Sequence, residues 1–476
     1  MEGKAPTGLQ ARLGILTDVF TPDLIDAVIA KQERQERRRR LLPARLVVYF
    51  VLALCLFARE PYEEVIQLLT NGLPASRALS RVNRSSLCRA RSRLGEEVLE
   101  AIFREVAGPL ATESSPGAWW RGLRLLALDG TKFDVPDSPS NGNTFDGPST
   151  GGGTPFGFPQ VRAVVLSEIG THGLLDAALG GYRDGERALS LPLARRSTGP
   201  GDLVIADRGF WSVEFVYAFS SAGADLLFRL QANRLGQHQE DLPDGSWLAT
   251  MRPGKPKRLQ AKRDGNPLPD QVLLRVFSVR IKDTDFHLAT TLLDPETYPA
   301  AELAALYRQR WEIEIAFDEI KNHLGPSAPL RSRTPEGIRQ ELWAYFAVHH
   351  AVRRLAHTAA VHNPASVLDS DRISYLTCVR IIRRSIPAQL GITPEQLSQA
   401  LADATHEARR RLLPQRKNRS YPRAIRKPSR WPVLRTRTGR DTVEPGRWIA
   451  NQTKKKKADR GAGRALAKPT YPTGDA

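Results

Sequence analysis

The chain reads as an α/β protein: a mixed sheet with a β-rich insertion, preceded by a helical unit and followed by further helices. Three observations predict this. Up to about residue 118, apolar residues recur at helical spacing, as in LTDVFTPDLIDAVIAKQERQERRRR. After Pro116-Gly117 the pattern changes to short runs of Leu, Val and Ala bounded by Gly, Pro or Asp. A helical stretch, RDGERALSLPLARR, separates the third of these runs from the fourth, as a parallel crossover requires.

In chain order, Thr21-Pro22 supplies a helix start, and Glu33 to Arg40 (ERQERRRR) reads as a solvated, charge-rich helix end. The greasiest run, Leu46 to Ala58, is shorter than the roughly 20 residues that cross a bilayer, and the N-terminus lacks an apolar leader. No membrane role is expected, and the chain reads as a soluble cytoplasmic protein. SRVNRSSLCRARSRLG offers Ser85 as an N-cap, with Arg89, Arg91 and Arg93 spread around the helix that follows. That helix suits either a groove-reading element for DNA or a solvated basic surface. The strand candidates are residues 123–130, 161–168, 172–179 and 202–209. The β-rich insertion spans about 231–286, HLATTLL (287–293) rejoins the main sheet, and RQELWAYFAVHHAVRRLA forms an amphipathic helix. The expected units are 1–118 (helical), 119–345 (the mixed sheet with the insertion), 346–412 (helical) and a basic, largely disordered tail, 413–476.

The net charge of +19 is concentrated in that tail: Arg409 to Ala476 holds 21 Lys and Arg against four acids, leaving about +2 for the rest. A tail of this kind suits a polyanion such as DNA, and Tyr421 and Trp431 lie among its cations; a solvated extension has the same composition. Cys55, Cys88 and Cys378 stand far apart without ligand-type partners, so neither disulfides nor zinc are indicated and buried packing is expected.

The chemistry-bearing pattern is on the helix that begins near Ala301. At about 100° per residue, Tyr307, Arg310, Glu314 and Lys321 project within a sector of roughly 60°. Ile313, Phe317 and Leu324 flank that polar ribbon on one side and Trp311 and Ile315 on the other, while Arg308, Glu312 and Glu319 are placed in water. A polar strip hemmed in by packing residues suits phosphate and metal handling; ion pairs along one helix are the plainer alternative. Asp129 ends the first strand in LLALDGTKFD and Asp207 the fourth in LVIADRGF, where side chains enter the crevice of an α/β sheet, although Asp-Gly also simply makes turns. Three acids meeting there would repel one another without a divalent cation such as Mg²⁺.

Tyr-x2-Arg-x3-Glu-x6-Lys at Tyr307, Arg310, Glu314 and Lys321, with LDGT at Asp129 and ADRGF at Asp207, resembles the DDE transposases of the insertion-sequence-4 family. The likeness runs from about residue 12 to 430. It implies a ribonuclease H-like catalytic domain in which Asp129, Asp207 and Glu314 hold two Mg²⁺ (or Mn²⁺) ions and catalyse cleavage of element ends and their transfer to target DNA, without a nucleotide cofactor. Tyr307, Arg310 and Lys321 then resemble phosphate-gripping residues, and the insertion resembles a clamp whose Trp247 stacks on a flipped base, a tryptophan that is equally a core residue. Arg89 and Arg93 are the N-terminal candidates for DNA contact. The resemblance further implies a homodimer or larger synaptic complex on paired inverted repeats, at the nucleoid. A binding-only descendant, or a ribonuclease H-like nuclease without strand transfer, would carry the same residues.

Other groups are set aside. His349-His350 point in different directions and suit packing or the helix surface, Asp134 and Asp137 suit turns, Asp318 is out of register with the motif, and STGGGTPFGFP lacks the Lys of a phosphate loop. If the tail contacts DNA, deletion after Arg447 lowers affinity and flattens the dependence of log K on log salt, because fewer counterions are released. Filter binding across a salt series measures this; an unchanged slope excludes the contact.

Overall fold

The computed structural model describes residues 11–414 apart from 39, 74–75, 151–155, 282–283, 326–328 and 389–392. Nearly all of the basic tail, with Tyr421 and Trp431, and residues 151–155 of the Gly-rich stretch lie outside the described residues.

Among the described residues, ten strands form one sheet: β1 (Trp119–Trp120), β2 (Leu123–Asp134), β3 (Gln160–Glu168), β4 (Leu174–Gly180), β5 (Asp202–Ala206), β6 (Asp225–Leu230), β7 (Gln237–Asp241), β8 (Trp247–Met251), β9 (Val272–Ile281) and β10 (Thr284–Thr290). The order is β4-β3-β2-β5-β6-β10-β9-β8-β7, with β1 beside β2. β2, β3 and β4 form an antiparallel meander, β5 joins β2 in parallel after the crossover helix Glu186–Ser197, and β6 joins β5 in parallel. Among these five strands only the second is reversed, and the first lies at the centre between the second and the fourth. That is the ribonuclease H-like order. The insertion does not build a separate β unit: β7 to β10 extend the same sheet, antiparallel throughout, and a helix, Lys255–Arg263, interrupts them.

Strand alternation divides two cores. Leu125 and Ala127 of β2 and Leu203 and Ile205 of β5 face the N-terminal helices and the long helix Pro335–Val361. Leu126, Leu128, Val204 and Ala206 face the other way, toward the helices Glu186–Ser197 and Val213–Ser221. The first core runs from Ala11 to Ala408, so the N-terminal helices are not a detached module. Its centre is the helix Ala44–Leu56, buried on all sides, which is why thirteen nearly unbroken apolar residues belong in a folded protein. Phe103 stacks on Trp343 of the long helix at 5.5 Å. That helix runs through residue 345, so the boundary expected there falls inside one rigid element.

Local chemistry sets the helix ends. Thr21 caps Pro22–Lys31 by accepting from Leu24 N, and the described residues between 33 and 40 are exposed coil and turns rather than a helix end. Asn83, not Ser85, caps Arg84–Leu94, because its Oδ1 reaches Ser86 N at 2.9 Å. Cys55 and Cys378 are buried, whereas Cys88 is exposed on that basic helix. None of the described helices is long and apolar enough to cross a membrane.

One buried guanidinium ties the insertion to the helix that follows it. Arg275 of β9 is fully enclosed; it donates to Ser246 Oγ at 2.7 Å and Tyr298 O at 2.7 Å and pairs with Asp244. The same oxygen of Asp244, Oδ2, also accepts from Ala300 N at 3.0 Å, the first residue of the helix Ala300–Tyr307. Arg275→Met leaves the Ser246 hydroxyl and the Tyr298 carbonyl without their donor while the exposed Asp244 carboxylate is rehydrated, and a loss of about 2 kcal/mol is expected. Urea titration measures it; a midpoint within error of the parent shows that the guanidinium contributes nothing to folding.

Candidate active site

Asp129 and Asp207 meet because their strands run parallel and in register. β2 pairs with β5 from Arg124↔Asp202 to Leu128↔Ala206, so each acid is the next residue beyond the last pair. Both continue the odd-numbered series along extended backbone, on the face that carries the Glu314 helix. Asp129 lies within its strand rather than at its end, since β2 runs on to Asp134 against β3. The crevice opens because β5 stops at Ala206 and the chain turns into the short 3-10 segment Arg208–Phe210, removing the parallel neighbour.

The segment facing them is not a uniform α-helix. It runs α over Ala300–Tyr307, 3-10 over Arg308–Trp311, α over Glu312–Asp318 and π over Glu319–Leu324. Overwinding in one turn and underwinding in another partly offset each other, so the four motif residues still share a side. A π turn inside a helix often marks a working site; here Lys321 within it donates to Thr131 Oγ1 at 2.6 Å, two residues after Asp129.

Arg310 is the hub. Its Nη1 pairs with Asp129 Oδ2 at 2.8 Å. Burial opposes its charge, yet Asp129, Tyr307, Asp207 and Glu314 around it hold its pKa above the usual guanidinium value. The three acids thus converge on one cation. Burial pushes the Asp129 carboxyl up to about 6 against the pull of Arg310 and of the Gly130 N–H, with Asp207 and Glu186 adding to the rise. Tyr307 is buried enough to be pushed up to about 12, so it remains a hydroxyl donor, directed at Asp207 Oδ1 at 3.5 Å. Glu314 is half-buried. Trp311, expected to pack, is 42% exposed and lies against the Arg310 guanidinium, 4.8 Å from its ring centroid.

The back of the same segment is bolted to the protein, and two acids placed in water by sequence are buried there. Glu319 accepts from His349 Nε2 and from Arg353 Nε, each at 2.9 Å, on the long helix. Glu312 faces His172, whose Nδ1 reaches the Glu312 carbonyl at 3.2 Å and whose Nε2 lies 2.7 Å from Asp371 Oδ1 and 3.5 Å from Glu312 Oε2. Among the described residues, His172, Glu312 and Asp371 are the one trio of ligand-type side chains whose donor atoms all lie within 4.8 Å of one another. The trio works as a hydrogen-bonded brace between the β3–β4 turn, the acid-bearing segment and the C-terminal helices. Periodicity reads polarity and not pairing, which is why these positions looked solvated. His349 and His350 are both buried.

The remaining candidates lie elsewhere. Arg89 and Arg93 are exposed on the helix Arg84–Leu94, and Arg93 borders a cleft of about 520 Å³ together with Arg34, Arg37, Arg38 and Arg40. Trp247 begins β8, half-buried and edge-on to His287 at 6.5 Å. Four strand spacings separate β8 from β5, roughly 19 Å at the usual interval, so the structure does not bring this indole to the acids.

A ribonuclease H-like sheet with acids at the end of its central parallel pair and an acid on the facing helix defines a phosphoryl-transfer scaffold. Comparison with known families gives it a specific class. Residues 120–350 match the family described as Transposase DDE domain, and residues 10–104 match Insertion element 4 transposase N-terminal. The chain is 29% identical over 429 residues to Transposase InsG for insertion sequence element IS4 of Escherichia coli (strain K12), covering 89% of this chain and 95% of that one. A solved structure, the piggyBac transposase synaptic complex with hairpin DNA, aligns over 82% of this chain and 84% of its own at 10% identity with a TM-score of 0.40, a likeness too slight to carry an argument. The chain belongs to the insertion-sequence-4 family of DDE transposases, enzymes that cleave and transfer DNA strands.

The brace makes a pH prediction. Burial raises the Glu319 carboxyl, but Arg353 and the His349 hydrogen bond overcome it and bring the group down to about 2 from an ordinary 4.5. A depressed folded-state pKa stabilises fully above the unfolded value and is lost as pH falls through the folded one. About 3 kcal/mol is therefore expected to disappear between pH 4.5 and 2. Glu319→Gln should flatten the stability profile across that window in denaturant titrations; a profile as steep as the parent's would assign the acid sensitivity to other groups.

Proposed function

We propose that this transposase cuts at the inverted ends of its element and joins them to target DNA by cut-and-paste transfer, with Asp129, Asp207 and Glu314 as the catalytic acids. The observation that carries the reading is the convergence of these acids on Arg310 at the point where β5 ends beside β2. Two divalent cations fit the donor set. Carboxylate oxygens are hard ligands, and Asp129, Asp207 and Glu314 outnumber the Arg310 guanidinium on which their charges act, so the three acids are not neutralised by it. Bound there, Mg²⁺ or Mn²⁺ ions supply activation of the attacking oxygen and stabilisation of the leaving one.

The protein's own groups supply binding and orientation. Arg310 offers a planar fork and Lys321 a point charge, both suited to non-bridging phosphate oxygens. Tyr307, kept protonated by burial, donates a neutral hydrogen bond on the same side. Thr131 holds the Lys321 ammonium on the crevice side of β2. The braces at Glu312 and Glu319 fix the rotation of the segment, so Glu314 keeps its aim without ordering cost at the moment of reaction. Arg89 and Arg93 contact the DNA away from the cut, and two or more chains assemble on paired ends.

Glu314→Ala should abolish cleavage of DNA that carries the element's inverted repeat while end binding persists within a few-fold. A gel assay reads joined products, cut ends and shifted uncut DNA separately. Retained cutting would show that the acid is misassigned; cutting by the parent chain without joined products would identify a hydrolytic nuclease, and shifted but uncut DNA a binding-only descendant.

A further inference from the structure

A fourth acid reaches this pocket from the opposite face of the sheet. Glu186 is the first residue of the crossover helix Glu186–Ser197, which packs beneath the even-numbered face of β2 and β5. Its side chain extends to the place where β5 has ended. Two glycines show where the carboxyl lies. A Cβ added at Gly130, the residue after Asp129, would fall 2.6 Å from Glu186 Cδ, and one at Gly209, two residues after Asp207, would fall 3.8 Å from Glu186 Oε2. Each sequence acid is thus followed by a glycine that borders the same carboxylate, Asp129-Gly130 and Asp207-Arg208-Gly209. Neither glycine has a positive φ, so turn geometry does not demand them there; at Gly130 the demand is for space.

The carboxylate is held rather than loose. Arg162 of β3 donates through Nη1 to Glu186 Oε1 at 2.7 Å, and its Nη2 is fixed by Tyr182 O at 3.0 Å. Oε2 is left directed toward Gly209.

We infer that Glu186 is a fourth oxygen donor of the divalent-cation site, entering between Gly130 and Gly209 from beneath the sheet while Asp129, Asp207 and Glu314 enter from above. The inference rests on the metal-dependent reading above. In this role Glu186 sets cation affinity and bears on DNA only through the cations, whereas a plain partner of Arg162 would affect folding alone.

The test is Mn²⁺ binding to the full chain without DNA, followed by the loss of the free-ion signal in electron paramagnetic resonance titrations, for the parent, Glu186→Gln and Asp207→Asn. Gln keeps the length and the Arg162 hydrogen bond while removing the charge. Glu186→Gln is expected to weaken Mn²⁺ binding about tenfold, with thermal unfolding checked separately; Asp207→Asn should weaken it at least as much. If Glu186→Gln binds as the parent does while Asp207→Asn is weakened, the fourth-donor assignment is wrong and the three-acid reading stands. If Asp207→Asn also binds as the parent does, or the parent shows no saturable binding, the three-acid reading fails and takes this inference with it. Should Glu186→Gln be too unstable to titrate, Gly130→Ala gives the same answer, because its methyl displaces the carboxyl: tenfold weaker binding supports the assignment and parent-like binding overturns it.

Discussion

The structure depends on one pairing: β2 and β5 run parallel, and β5 stops one residue before Asp207. Parallel register puts two acids side by side, and the early stop takes away the strand that would otherwise cover them. Everything else at the site answers that arrangement. The opposite face supplies a helix start, the near face supplies a mixed helical segment, and Arg310 stands where repulsion among the acids would be worst.

The near-face segment shows how a site residue is aimed by groups that never reach it. Glu314 shares its turn with Glu312, and the two point in different directions: one toward the crevice and the other into the brace with His172 and Asp371. Glu319 repeats the arrangement against His349 and Arg353. Buried ion pairs contribute little to net stability when compared with apolar packing. Their use here is rotational: they select one orientation of a segment whose apolar residues alone would tolerate several.

Sequence made the strands, the crossover helix and the acid motif legible, because each has a short-range signature: alternation, turn residues, or a fixed spacing along a helix. It failed where meaning depends on a distant partner. Glu312 and Glu319 look solvated until His172, His349 and Arg353 are placed beside them. Asp129 looks like a strand end because Asp-Gly usually is one, and only the continued pairing of β2 with β3 as far as Asp134 reveals otherwise. Glu186 carried no signal in its own neighbourhood, being one more acid at a helix start; the signal was in Gly130 and Gly209, which are intelligible only in three dimensions. The insertion was recognised by its turns and extended runs, yet that it would prolong the main sheet was not, since strand order between remote segments leaves no local trace.

The continuity of that sheet limits how the protein can be recombined. Arg275 and Asp244 belong to the insertion, while the carbonyl of Tyr298 and the amide of Ala300 that they hold belong to the approach to Glu314. A chimera joined at the outer strand ends would separate these partners and strand a cation in a dry interior. Exchange between relatives therefore has its natural seams at Gln231 and beyond Ala300, and the insertion travels with the first turn of the helix it precedes.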